Sequence, residues 1–276
     1  MSSSRLTGEH QRLTHDGKLK FAPTFVHGDQ ELTFAVHEAP NLVAIKRLRL
    51  AGGAQERVHP GISDHQFDPA FSADGRYHCF AMSATSPQLV LVIQDTKEKS
   101  EAIFRPREAR ATARHPSIAP DGSRVVFALS DVTGHQIASV NLQGRDLKIL
   151  AESAGMNAWP SLSPDGKRIA FASSRDGTIQ IHVMSADGCQ VRRLTKGPAL
   201  NMRPSWSPDG RRLAFTSSEG GKYRIHIMNG DGSGLQLLAE GGERDDYPIW
   251  HPDGKHLVVV SERGGRSDLY LIDVPG

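Results

Sequence analysis

One motif recurs along this chain at nearly constant spacing, and a chain that repeats itself folds as a repeating structure. Residues 159–166 read Trp-Pro-Ser-Leu-Ser-Pro-Asp-Gly, residues 203–210 read Arg-Pro-Ser-Trp-Ser-Pro-Asp-Gly, and residues 247–254 read Tyr-Pro-Ile-Trp-His-Pro-Asp-Gly. Looser copies stand at 115–122 (His-Pro-Ser-Ile-Ala-Pro-Asp-Gly) and 68–75 (Asp-Pro-Ala-Phe-Ser-Ala-Asp-Gly). The most degenerate copy begins Ala22-Pro23-Thr24-Phe25. The leading prolines, Pro23, Pro69, Pro116, Pro160, Pro204 and Pro248, lie 46, 47, 44, 44 and 44 residues apart.

A period near 44 suits a four-stranded propeller blade or a two-helix unit, and the local sequence decides between them. Ser-Pro-Asp-Gly is a tight turn: proline presets its own φ, aspartate tolerates the next position, and glycine supplies positive φ. Runs such as Arg168-Ile169-Ala170-Phe171-Ala172 and Ile179-Gln180-Ile181-His182-Val183-Met184 follow, separated by Arg175-Asp176-Gly177 and Ala186-Asp187-Gly188. A short fourth run, Val191-Arg192-Arg193-Leu194-Thr195, ends the copy. Short strands between Gly and Asp turns form up-and-down sheets, and no segment keeps a helical period. The expectation is an all-β, six-bladed β-propeller of four-stranded antiparallel blades, a single domain over residues 1–276 with a short flexible tail at about 1–9. The last copy stops after a third strand, Asp268-Leu269-Tyr270-Leu271-Ile272-Asp273, whereas Gln11-Arg12-Leu13-Thr14 resembles the fourth-strand segment Arg192-Arg193-Leu194-Thr195. The N-terminal strand is therefore expected to complete blade six and close the ring, which removes exposed sheet edges.

Composition narrows the function classes. The formal net charge is +2, with Lys and Arg interleaved among Asp and Glu, so the clustered basic face of a nucleic-acid binder is missing. No apolar run reaches the length of a membrane-spanning helix, and no apolar core of a secretory leader follows Met1. The expected location is cytoplasmic as the chain stands, or periplasmic if a leader has been removed. Cys79 and Cys189 fall in different repeats, and no disulfide is expected between them.

The Pro-Ser-Trp-Ser-Pro-Asp-Gly core followed by an apolar strand resembles the WD-like repeat of TolB-like propellers, over about residues 11–274. Several families share it: the periplasmic TolB protein of the Tol-Pal system, propellers joined to prolyl-oligopeptidase-type hydrolases, and oligogalacturonate lyases. The chain shows no N-terminal α/β domain and no Gly-x-Ser-x-Gly nucleophile elbow. The metal-binding histidines of the lyases do not map onto it residue by residue. The resemblance implies a TolB-like propeller with its function open.

The repeat also marks where a site would lie. In a propeller the proline-bearing strand is innermost, so the residues before the prolines gather at the tunnel mouth: Ala22, Asp68, His115, Trp159, Arg203 and Tyr247. They differ in every copy while their surroundings stay close to a pattern. Two residues earlier, on the same side of each strand, stand Lys20, Gln66, Ala113, Asn157, Asn201 and Asp245. The candidate binding residues are Gln66, Asp68, His115, Asn157, Trp159, Asn201, Arg203, Asp245 and Tyr247. Arg105, Arg107, Arg110 and Arg114 lead into the third copy, and Glu240, Glu243, Asp245 and Asp246 into the sixth. This pattern predicts a mouth basic on one side and acidic on the other.

No catalytic constellation is expected. Adjacent carboxylates such as Asp245 and Asp246 face opposite ways on a strand, and no serine sits in a motif with a histidine. No cofactor is expected either. Two donor groups leave open a divalent cation in the axial channel: His65 and His115 with Gln66 and Asp68, or Asn157, Asn201 and Asp245. His182 and His226 occupy equivalent third-strand places and read as structural. Trp206 and Trp250 share a repeat position with Phe25, Phe71, Ile118 and Leu162, a core pattern, whereas Trp159 is expected partly exposed at the mouth. The leading expectation is a non-catalytic binding module, a monomer, that recognises a protein or peptide partner at the tunnel mouth. A small-carbohydrate binder, or a lyase- or hydrolase-type enzyme using the same pocket, is the alternative.

Overall fold

The computed structural model describes residues 10–26, 28–85, 87–239 and 241–275. The tail expected at residues 1–9 lies outside them. Among the described residues there are strands, turns and bends but no helix, and so no helix long and apolar enough to cross a membrane. The chain opens with β1 (His10–Arg12), then β2 (Lys20–Val26), β3 (Glu31–Ala39), β4 (Leu42–Arg49) and β5 (Gln55–Arg57). Next come β6 (Gln66–Phe71), β7 (Tyr77–Thr85), β8 (Gln88–Asp95), β9 (Ser100–Phe104), β10 (Thr112–Ile118), β11 (Arg124–Asp131), β12 (Gly134–Asn141) and β13 (Lys148–Ala151). The pattern continues with β14 (Asn157–Leu162), β15 (Arg168–Ser173), β16 (Gln180–Ser185) and β17 (Arg192–Arg193). It ends with β18 (Leu200–Trp206), β19 (Arg212–Glu219), β20 (Lys222–Asn229), β21 (Gln236–Ala239), β22 (Arg244–Trp250), β23 (His256–Arg263) and β24 (Arg266–Asp273).

The expectation of six separate four-stranded antiparallel blades, a six-bladed propeller, is corrected by the sheet pairing. Four sheets are four-stranded blades: β2 to β5, β14 to β17, β18 to β21, and β22 to β24 with β1. The fifth is one continuous eight-stranded sheet holding β6 to β13, in which β8 and β10 meet in parallel at Leu89 and Thr112. The cause is the loop after β9, which folds back onto β8. The Leu89 amide donates to Ala111 O at 3.3 Å, and Gln88 Nε2 donates to Pro106 O at 3.1 Å and to Glu108 O at 2.8 Å. The Leu89–Ala111 bond joins the second and third repeats, the pair with the longest proline spacing, whereas the glutamine bonds recur at Gln180, whose sheet stays separate.

The expected turn forms as its chemistry requires. Gly166 and Gly210 have φ of +69° and +67°, and their amides return to Ser163 O and Ser207 O at 2.8 Å each. The Ser163 hydroxyl donates to Asp165 Oδ1 at 2.6 Å and accepts from the Arg168 amide at 3.0 Å. Ser207, Asp209 and Arg212 repeat the arrangement.

The core lies between sheets. Phe34, Phe80, Phe127, Phe171 and Phe215 recur at the repeat period on the second strands and are essentially fully buried, with Val259 in the sixth place. Each is worth roughly 1.5–3 kcal/mol of apolar burial. Trp206 and Trp250 are buried as expected, and each indole donates back to the preceding proline-bearing strand: Trp206 Nε1 to Ser161 O at 3.0 Å, Trp250 Nε1 to Ser205 O at 3.1 Å. Cys79 is buried and Cys189 exposed, both as free thiols.

The N-terminal strand does complete the last sheet. In β1, His10, Gln11 and Arg12 pair with Ile272, Leu271 and Tyr270 of β24.

Candidate functional site

Every proline-bearing strand carries a bulge at the proline. The register shifts between Phe21 and Thr24, Phe67 and Ala70, Arg114 and Ser117, Ala158 and Ser161, Met202 and Ser205, and Asp246 and Ile249. At each bulge the pre-proline residue is left-handed: Ala22, Asp68, His115, Trp159, Arg203 and Tyr247 have φ between +49° and +55°. Non-glycine residues rarely adopt this region, and bulges re-aim side chains. All six line one central cavity of about 270 Å³, together with the six prolines.

The bulge also explains what the cavity excludes. Alternation is broken, so residues two positions earlier do not share its face. Gln66, Asn157, Asn201 and Asp245 are buried outside the cavity lining. Asn157 Nδ2 donates to His135 O at 2.7 Å and Ser153 Oγ at 3.0 Å. Asn201 Nδ2 donates to Gln180 Oε1 at 2.9 Å. Asp245 Oδ1 accepts from Ser261 Oγ at 2.6 Å. Gln66 Oε1 meets His59 Nδ1 at 3.3 Å. Their polar groups hold neighbouring loops and strands. His65 is likewise occupied, accepting the Val43 amide on Nδ1 at 3.2 Å.

Five of the six mouth residues form a chain of contacts. Asp68 takes a two-pronged bond from Arg114, at 2.5 Å and 3.2 Å, and the His115 amide at 3.1 Å. The His115 ring leans on Trp159 with centroids 5.3 Å apart. The Arg203 guanidinium lies 4.8 Å from the Trp159 ring centre and 4.2 Å from that of Tyr247, and Arg203 Nη1 pairs with Asp246 Oδ1 at 3.0 Å. Ala22 leaves the sixth place small. Three polar atoms in this set are buried without a hydrogen-bond partner: His115 Nδ1, Trp159 Nε1 and Arg203 Nε.

Burial opposes ionisation of Asp68, but Arg114 and His115 outweigh it and hold the carboxyl well below the usual range. Burial pushes His115 down to about 4, against the pull of Asp68 and with help from Arg114 and Arg203. Near neutrality the mouth therefore holds a fixed carboxylate and a neutral imidazole. Burial also raises Tyr247.

Part of the expected charge asymmetry is consumed, while Arg105, Arg107, Arg110 and Glu243 stay exposed. Arg114 is paired with Asp68, and Asp246 with Arg203 and Arg244. Asp245 is buried, and Glu240 lies outside the described residues. Arg114 and Asp246, read from the sequence only as part of the charge pattern around the mouth and not as binding residues, contribute to it directly. Each stands next to a pre-proline residue and is a charge with an opposite charge one repeat away, which was the available signal.

The fold is shared with solved structures at low sequence identity. A putative TolB from Agrobacterium tumefaciens superposes with a TM-score of 0.75 at 20% identity, covering 97% of both chains. TolB from Acinetobacter baumannii gives 0.73 at 21% identity, covering 91% of this chain and 66% of that one. Oligogalacturonate lyase from Vibrio parahaemolyticus gives 0.62 at 15% identity, covering 100% and 96%. No curated protein matches the chain. The TolB beta propeller domain family matches residues 68–276, and the chain belongs to that family.

Proposed function

We propose that the chain is a non-catalytic binding module that takes a protein or peptide segment at the tunnel mouth. The observation that carries this reading is the set of unpartnered buried atoms, His115 Nδ1, Trp159 Nε1 and Arg203 Nε, on three adjacent mouth residues. A buried donor without a partner costs about 1–3 kcal/mol, and a ligand bringing carbonyl or carboxylate oxygens would recover it. The mouth residues are held in left-handed conformations by six bulges, so the groups are preorganised on a rigid scaffold. The similarity to structures named TolB supports the same reading at the level of fold.

The chemistry of the mouth speaks against the enzyme alternative. The one carboxylate in the lining, Asp68, is held ionised by Arg114, and the one imidazole is held neutral with its ring against Trp159. Sugar stacking would need a free aromatic face, and Arg203 already lies against both Trp159 and Tyr247.

The test is affinity capture from lysate of the native host, comparing the parent chain with Trp159→Ala/Arg203→Ala. A protein retained by the parent and lost from a variant of unchanged circular dichroism supports the reading. Equal retention by both chains refutes the mouth as the site. Capture of nothing, with saturable oligosaccharide binding by the parent alone, replaces it with the carbohydrate reading.

A further inference from the structure

The turn of the last repeat departs from the others in a way that its structural role does not require. In three copies a serine caps this turn, Ser72, Ser163 and Ser207, each hydroxyl donating to the following aspartate. In the last copy His251 takes the serine position and His256 takes the place of Arg124, Arg168 and Arg212. Those arginines reach backbone carbonyls of the next repeat: Arg124 to Ala186 O at 2.5 Å, Arg168 to Gly210 O at 2.7 Å and Arg212 to Gly254 O at 3.3 Å. The two histidines thus stand at the seam where the last repeat meets the first. There Phe25 packs edge-on against His251, with centroids 5.0 Å apart.

We propose that His251, Asp253 and His256 form a binding site for a divalent transition-metal ion of the zinc type. Their donor atoms lie within 4.8 Å of one another, and among the described residues no other group of three His, Cys, Asp or Glu side chains does this. His251 Nδ1 is 3.0 Å from Asp253 Oδ1, and His256 Nδ1 is 2.6 Å from Asp253 Oδ2. Two imidazoles and a carboxylate match the donor preference of zinc and its neighbours, with the remaining position left to water. Both rings are oriented from behind. Phe25 fixes His251, and His256 Nε2 faces Asp273 Oδ1 of β24 at 3.3 Å. A carboxylate on the far nitrogen of a ligating histidine sets its tautomer and raises its basicity. The His251 lone pair now accepts the Asp253 amide at 3.2 Å, a bond the ion would replace. All three ligands belong to the β22–β23 turn, so the ion would fasten that turn, with Asp273 at the end of β24 holding His256 from behind.

The experiment is a cobalt titration of the untagged chain, followed by visible absorption, with zinc added to displace it. The controls are His251→Ser/His256→Arg, which restores residues this repeat position already uses, and Asp273→Asn. Expected are one equivalent of cobalt bound at micromolar concentration and displaced by zinc, at least a 10-fold loss in the double variant, and a loss of roughly 10-fold in Asp273→Asn. Unfolding of the metal-free double variant at a temperature close to that of the parent keeps the loss assignable to ligation. No cobalt uptake by the parent, or undiminished uptake by the double variant, overturns the proposal.

Discussion

The Thr14 hydroxyl donates to Asp268 Oδ1 at 2.7 Å across 254 residues of sequence, and it repeats a bond made within a single blade. There, Thr195 Oγ1 donates to Gln180 Oε1 at 2.7 Å and accepts the Ile181 amide at 2.9 Å. Thr14 likewise accepts the Leu269 amide at 3.0 Å. Arg12 and Arg193 match as well, each donating Nε to the threonine carbonyl two residues on. The closure uses the chemistry that follows β17, with a charge added. Asp268 replaces the glutamine and meets Arg12 and the fully buried Lys20.

That added charge predicts a large effect of Asp268→Ala. Burial opposes ionisation of Asp268, but Arg12, Thr14 and Lys20 outweigh it and hold the carboxyl below its usual range. Its stabilisation is therefore full above the unfolded carboxylate value and is lost as pH falls through the lower folded one. Removing one partner of a buried pair costs about 3–5 kcal/mol. Urea unfolding at neutral pH should show a loss of this order. A loss under about 1 kcal/mol would mean that Asp16, the other carboxylate on Lys20, suffices alone.

The left-handed mouth residues predict an unusual response to glycine. Ala22 has φ of +49°, where a Cβ is strained and glycine is not. Ala22→Gly should leave stability unchanged or raise it by up to about 1 kcal/mol, against the usual glycine penalty in a strand. Ala22→Val, β-branched at the same φ, should lower it by more than about 1 kcal/mol. Thermal unfolding of the two variants reads the difference directly, and equal effects would contradict the strain.

The repeat made much of this legible. Proline spacing located the strands, the Ser-Pro-Asp-Gly turns and the mouth residues, because each depends on short-range chemistry that recurs. The partner of β8 was not legible, since the fusion at Leu89 and Thr112 depends on how the loop at 105–111 folds back. Nor were the roles of Gln66, Asn157, Asn201 and Asp245. Alternation placed them with the mouth, and the bulge at each proline undid the alternation. A left-handed φ before proline has no signature in residue type when the residue changes in every copy.

Arg203 holds the aromatic part of the mouth together, which predicts a local effect. Arg203→Ala removes the cation between Trp159 and Tyr247 and leaves Asp246 with Arg244 as its remaining cationic partner. Trp206 and Trp250 are buried elsewhere, so a change in tryptophan emission would report Trp159. The expected result is a shift toward the emission of a solvated indole, with a stability loss of about 1–3 kcal/mol from the broken charged bond. Unchanged emission would show that His115 alone fixes the indole.

Two histidines held below their usual value predict how stability depends on pH. His78 lies between Phe71 and His59 in a stack, with Nε2 unpartnered, and burial pushes it down to about 3, His59 adding to the effect. His115 is held at about 4. An unfolded histidine titrates near 6.5. Between that value and the folded ones the unfolded chain binds more protons, so stability falls as pH drops from about 6.5 toward 4. His78→Phe keeps an aromatic ring in the stack and removes one titrating group along with its unsatisfied nitrogen. It should flatten the fall and raise stability near neutral pH by roughly 1 kcal/mol. Unfolding midpoints of parent and variant at pH 7 and pH 5 decide the matter. An equal drop in both would assign the acid sensitivity to other groups.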